Sequence, residues 1–168
     1  PVDPCSLEKV KSIGHQITLP RDYRGYSQIE VVILELCEIV CRRVRLGGFV
    51  GRTVHLTLKD VEFLWMSRSQ SVTFPTASAN DIYRVAVELL RRHWPEWKPV
   101  RMVGVSLAGL VKNTWEQVDL FGEAEKARLL HAACDRIKDR FGEQSVLRAV
   151  SLTPDGVLRD RNGGGSHV

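Results

Sequence analysis

The side chains of this chain that could do chemistry are mostly hydroxyls, amides and bases, and they fall at alternate positions. Ser12, Gln16 and Thr18 alternate with Ile13, Ile17 and Leu19. Thr53, His55, Thr57 and Lys59 alternate with Val54, Leu56 and Leu58, and Ser106 sits between Val105 and Leu107. Period-two alternation turns one set of side chains toward a core and the other toward water. Arg68 and Ser71 are read as joining the outward set, and His15 is read as outward too. The outward set holds no acid. Hydroxyls, amides and Arg or Lys are the usual donors to phosphate oxygens, so the chemistry on offer is polyanion binding. The plain alternative is a sheet face that is polar only because it meets water. Catalytic constellations are missing from the sequence. There are no closely spaced carboxylates for a two-metal site, no Gly-x-Ser-x-Gly elbow and no phosphate-cradling loop, since Gly163–Gly165 is not followed by Lys-Ser or Lys-Thr.

A second signal is Gln117-Val-Asp-Leu-Phe121. An extended segment of this kind can fill an apolar pocket with Leu120 and Phe121 while the Gln117 amide hydrogen-bonds at its rim. Its alternative use is to staple the tail onto the preceding domain. The four cysteines form no framework: Cys37 and Cys41 are four apart, Cys5 and Cys134 are isolated, and no Cys-x-x-Cys occurs. With the histidines scattered, the reading is free thiols and no metal site. Trp94, Trp97 and Trp115 read as packing residues.

The elements that must position these groups follow from 168 residues, 43% hydrophobic and 26% charged, an ordinary globular balance. No apolar run approaches the ~20 residues that span a bilayer. The chain opens Pro-Val-Asp-Pro with no basic-then-apolar leader, so a trimmed or partial cytoplasmic protein is expected. The net charge of +4 lies in residues 1–110, which carry 15 Lys/Arg and 11 Asp/Glu, against nine of each in residues 111–168. Between Glu38 and Asp60 there are five bases and no acid, a field that favours DNA or RNA over a membrane.

Residues 11–19 predict a strand ended by Pro20, with a loop over Arg21 to Tyr26. Ser27 with Glu30 forms a capping box for a helix through Ile29, Ile33, Leu36, Val40 and Val44, stopped at Gly47-Gly48. Thr53 to Lys59 is a strand, Asp60-Val61 a turn, and Glu62 to Phe74 a strand of ambiguous register that a bulge near Ser69 would resolve. Ser78 and Asp81 cap a second helix, and Val100 to Leu110 is the last strand. The order β-α-β-β-α-β makes an α+β domain, an antiparallel sheet with two helices on one face and the other face open. Residues 111–116 read as a linker, Glu123 to Phe141 as a helix closed by Gly142, Ser145 to Leu152 as a short strand, and the end as flexible. An RNA-recognition motif shares this order but needs glycines and aromatics that Phe63 to Gln70 lack.

Lys11-Ser-Ile-Gly-His15, Gly51-Arg-Thr-Val54, Ser67-Arg-Ser69 and Gly104-Val-Ser-Leu107, in this order, resemble the little-finger domain of Y-family DNA polymerases. The tail resembles the C-terminal extension of bacterial translesion polymerases, closest to the polymerase V catalytic subunit and the UV-damage repair polymerases. The resemblance implies a linker from the thumb over residues 1–10, a DNA-binding little finger over 11–112, and an extension over 113–168. It implies DNA-backbone contacts from Ser12, Gly14, His15, Gln16, Thr18, Arg68 and Ser69. Lys11, Thr53, His55, Thr57, Ser71 and Ser106 complete the expected set. Gln117, Asp119, Leu120 and Phe121 look like a sliding-clamp ligand. The fragment would need no cofactor, and Mg²⁺ would belong to the palm of the parent enzyme. The implied function is translesion synthesis and DNA repair; a catalytically inactive adaptor for DNA and proteins is the alternative.

Overall fold

The computed structural model describes residues 10–113 and 123–158. The chain divides into two compact units that meet between Lys112 and Asn113. In the first, β1 (Ser12–Tyr23), α1 (Tyr26–Leu46), β2 (Phe49–Lys59), β3 (Trp65–Thr76), α2 (Ala79–His93) and β4 (Val100–Ala108) follow in the expected β-α-β-β-α-β order. The strands form an antiparallel sheet in the order β1-β4-β2-β3.

Strand β4 lies between β1 and β2, and its alternation fixes the two faces. Val103, Val105 and Leu107 are buried and share their side with Val54, Leu56 and Leu58. Against them lie the buried faces of α1, led by Ile29, Ile33, Leu36, Val40 and Val44, and of α2, led by Ile82, Ala86, Leu89 and Leu90. Each Val, Leu or Ile among them contributes about 1.5–3 kcal/mol when removed from water. Cys37 and Cys41 are part of this core. Burial raises the Cys37 thiol well above its ordinary value and pushes Cys41 up to about 12, so both stay protonated and inert at neutral pH.

Several local expectations change. Pro20 does not end β1. It falls within a register shift between Thr18 and Tyr23, and the strand resumes with a buried Tyr23 paired to Val100. Proline removes one ladder donor but tolerates extended backbone. The capping box at Ser27 and Glu30 does not form. The N-cap of α1 is Gly25, at φ 80°, and the Arg24 N–H instead donates to Gln28 Oε1 at 3.0 Å. Glu30 pairs with Arg91 of α2 at 2.7 Å, a link between helices that the sequence pattern did not show. At α2, Ser78 is the N-cap without a side-chain cap bond; Thr76 accepts the Ser78 N–H and donates to Asp81, each at 3.0 Å. No bulge lies near Ser69. The ladder runs unbroken from Lys59–Trp65 to Thr53–Ser71, and the irregularity falls between Ser71 and Thr76. The start of the expected linker is instead a short strand β5 (Val111–Lys112) paired with Phe49 and Val50.

The turn between β2 and β3 is built on Asp60, which is buried. Its Oδ1 accepts the N–H groups of Glu62 at 2.9 Å and Leu64 at 2.8 Å. Its Oδ2 meets Lys98 Nζ at 2.7 Å. Trp94 is buried beside this loop, with its indole N–H on the Lys98 carbonyl at 3.0 Å. Trp97, expected to pack, is exposed, and Trp115 lies outside the described residues.

In the second unit, α3 (Glu123–Phe141) ends at Gly142, whose φ of 95° suits the residue after a helix. Leu130, Ile137 and Phe141 of its apolar stripe are exposed. Ser145 to Leu152 is not a strand. Ala149–Leu152 forms a 3-10 turn, and Ser151 and Val157 are buried.

The Lys98 contact and the turn's N–H groups hold the Asp60 carboxyl below its ordinary value of 3.8. A depressed folded pKa contributes stability above the unfolded value, and that contribution fades as pH falls through the folded one. Asp60→Asn is therefore expected to melt at a lower temperature than the parent at pH 7, with the gap narrowing below about pH 4. Melting curves of the two chains across pH check this.

Candidate nucleic-acid interface

Residues directly opposite one another in an antiparallel sheet share a face. On the side away from the helices the ladder therefore sets four rows. They are Ser12–Ala108–Thr53–Ser71, Gly14–Ser106–His55–Ser69, Gln16–Gly104–Thr57–Ser67 and Thr18–Met102–Lys59–Trp65. None of these sixteen positions is acidic. Ten of the expected contact residues come together here: Ser12, Gly14, Gln16, Thr18, Thr53, His55, Thr57, Ser69, Ser71 and Ser106.

Two do not. His15 stands in the row of Val105, Leu56 and Arg68, on the helix side of the sheet. Both readings fail for the same reason: each residue has the parity of the apolar positions. They escape burial because β1 and β3 are edge strands. His15 is half-buried, and the exposed Arg68 turns its Nη1 to the Ser67 carbonyl at 2.8 Å. Lys11 precedes β1 and is exposed. Gln117, Asp119, Leu120 and Phe121 lie outside the described residues.

The correct register adds residues that the expected set lacked. Ser67, Trp65, Gly104, Met102 and Ala108 complete the rows, and Lys59 holds the only ammonium within them. Once Lys59–Trp65 is known to be a pair, plain alternation along β3 brings out Ser67 and Trp65. The ambiguity came from β3 itself, whose helix side carries Arg68 and Gln70. Gln70 is satisfied there, with its amide nitrogen 3.3 Å from Glu88 of α2.

Small side chains give the face its shape. Between Gly14, Gln16, Thr57, Gly104 and Ser106 lies a shallow depression of about 330 Å³. A Cβ on Gly14 would stand 2.6 Å from Ser106 Cβ, and one on Gly104 would stand 3.2 Å from Gln16 Cβ. The hydroxyls are paired across strands, Thr53 with Ser71 at 3.0 Å and Thr57 with Ser67 at 3.4 Å. Two hydroxyls consume one O–H between them, so each pair keeps one O–H to donate outward. The Gln16 amide and the Lys59 ammonium add donors. Chemically, the face can grip phosphate oxygens along a groove, and it has no base-reading array. Among the described residues no three His, Cys, Asp or Glu side chains converge.

Residues 10–120 match the model of the impB/mucB/samB family C-terminal domain. The chain belongs to this family, the little finger of Y-family DNA polymerases. It is 77% identical over 167 residues to a protein of Pelotomaculum thermopropionicum named DNA polymerase IV, covering 99% of the chain and 42% of that relative. A DNA polymerase IV of Moorella thermoacetica is 63% identical over 158 residues, covering 94% of the chain and 40% of the relative. The chain thus spans about two-fifths of the length of these relatives. Both carry the polymerase IV name, and a putative UV-damage repair protein of Bacillus subtilis, 37% identical over 156 residues and covering 90% of the chain and 37% of the relative, matches the group to which the sequence motifs pointed. Among solved structures, the complex of a beta-clamp processivity factor with the little-finger domain of polymerase IV matches 65% of this chain and 97% of that one. The TM-score is 0.51 at 20% identity, a likeness of fold. No helix among the described residues is long and apolar enough to cross a membrane.

The two face glycines are expected to differ in tolerance. Gly14→Ala forces Ser106 and its strand to shift and is expected to cost about 1–3 kcal/mol. Gly104→Ala meets the Gln16 and Thr57 Cβ atoms at 3.2 and 3.6 Å, with the Thr57 carbonyl at an ordinary 3.8 Å, and is expected to stay within about 1 kcal/mol of the parent. Urea denaturation of both variants measures the contrast.

Proposed function

We propose that this chain grips the sugar–phosphate backbone of duplex DNA with the open face of its sheet. It would do so as the little finger of a bacterial Y-family polymerase acting in translesion synthesis and DNA repair. The observation that carries the reading is the acid-free face of four rows, with outward hydroxyls around a floor of Gly14 and Gly104. Phosphate contacts position a protein on DNA without reading sequence, which suits a domain that holds a duplex while the polymerase steps along it. Nucleotidyl transfer and its Mg²⁺ would fall to the palm of the parent enzyme, where carboxylates hold the two ions. A polymerase working on the bacterial chromosome would act in the cytoplasm.

The same reading assigns Gln117, Asp119, Leu120 and Phe121 to a sliding clamp. Burying Leu120 and Phe121 would contribute about 1.5–3 kcal/mol each. Ordering the segment takes part of that back, so the affinity falls in the micromolar range. Support comes from the motif and from the solved complex of a polymerase IV little finger with a beta-clamp processivity factor, whose fold this chain shares.

Duplex binding is expected to be independent of sequence. Hydroxyls and amides take phosphate without displacing a counterion, so the cations at the face, Lys59 within the rows and Lys11 just before β1, set a log–log salt slope of about −2. Thr57→Glu places a carboxylate beside the depression and is expected to weaken all duplexes alike, by about tenfold or more. Titration of unrelated duplexes at several salt concentrations checks slope and variant together. The double change Leu120→Ala, Phe121→Ala is expected to abolish clamp binding and leave duplex affinity unchanged, as read by clamp titration alongside the same DNA assay.

A further inference from the structure

The turn that joins β2 to β3 carries an exposed aromatic cluster at one end of the open face. Phe63, Leu64 and Trp65 are 61%, 58% and 57% exposed. Lys59 Nζ lies 4.5 Å from the centre of the Phe63 ring and 4.9 Å from that of Trp65, so one ammonium serves both rings. Phe63 has φ 66°, a region that bulky L side chains rarely enter. Such a conformation persists only where the surroundings over-determine it. Asp60 does so here, through its bonds to the Glu62 and Leu64 N–H groups and its anchor on Lys98. The rings are therefore held out on a braced turn. Trp65 and Lys59 also close the last of the four rows, beside Met102 and Thr18, which makes the cluster continuous with the phosphate-binding face.

We propose that Phe63 and Trp65, with Lys59 between them, form a stacking platform for unpaired bases of single-stranded DNA next to the duplex held by the open face. Aromatic side chains beside a basic groove are how proteins bind single strands without sequence preference. Charge complementarity favours this occupant over a protein. An apolar protein surface would strip water from the Lys59 ammonium and return nothing, whereas a single strand brings a phosphate for every base it stacks. The inference rests on the duplex-binding reading for its geometry and adds a second class of ligand to the same surface.

The test uses the whole 168-residue chain and three probes: a blunt duplex, the same duplex with an eight-thymidine overhang, and the same overhang made of abasic residues. The abasic probe keeps the phosphates and removes the rings. The variant is Phe63→Gly with Trp65→Thr. Glycine relieves the positive φ and threonine suits a strand, so the fold is retained, and an unchanged melting temperature verifies it. The unmodified chain should bind the thymidine overhang about tenfold more tightly than the abasic one. The variant should lose that ratio, whatever change Trp65→Thr makes to its affinity for the blunt duplex. Equal affinity of the unmodified chain for the two overhangs overturns the proposal, as does a variant that keeps the full ratio. So does a dimer in sedimentation that the variant dissolves, since the cluster would then be a contact between copies. Failure to bind the blunt duplex, with the overhang ratio intact, would count against the duplex reading and leave the stacking platform standing.

Discussion

The two sides of strand β4 do opposite things, and the domain depends on that division. Val103, Val105 and Leu107 bury themselves under the two helices, while Gly104, Ser106 and Ala108 leave the other side low. A strand flanked on both sides by paired neighbours cannot slip by one residue without exposing its whole apolar set. The same alternation that secures the core thus also fixes which hydroxyls look outward. Core and interface are set by one register.

The edges obey looser rules. On β1 and β3 water reaches one flank of the strand, so a polar residue on the helix side is tolerated. His15, Arg68 and Gln70 show it. The edges are also where the ladder breaks, at Pro20 in β1 and between Ser71 and Thr76 in β3. These breaks leave the central rows untouched. Bracing comes from ionic contacts between elements: Glu30 to Arg91 across the helices and Asp60 to Lys98 at the turn.

Most of the architecture was legible in the sequence because the central strands and the helices are under strong two-sided constraint. In β2 alternation holds from Thr53 to Lys59 and in β4 from Val103 to Ala108, and in α1 and α2 the apolar stripe keeps helical spacing, so their faces and order followed directly. The parts that were not legible are governed by local competition. Gln28 accepts the bond at the α1 terminus that Ser27 and Glu30 promised, because the helix starts at Tyr26 and takes both of them into its first turns. The β3 register hid behind a strand that is polar on both sides. At the start of the expected linker, Val111 and Lys112 gained ladder bonds from the first residues of β2, ahead of its pairing with β3 and β4, and Ala149–Leu152 wound into a 3-10 turn where alternation suggested a strand. On the open face the hydroxyl-rich positions were legible from parity alone. The depression was not, since it depends on Gly14 and Gly104 lying in adjacent rows across the β1–β4 pair.

The central claim is that DNA meets the open side of the sheet and not the helices. Amide chemical-shift mapping tests it most directly, with the isotope-labelled chain titrated by a short duplex of arbitrary sequence. An open-face interface predicts shifts concentrated at Gly14, Gln16, Thr57, Gly104 and Ser106, with the outward residues of α2 such as Arg84 and Glu88 unmoved. Shifts centred on α2, or spread evenly over the basic C-terminal end of α1 while the four rows stay silent, would contradict it.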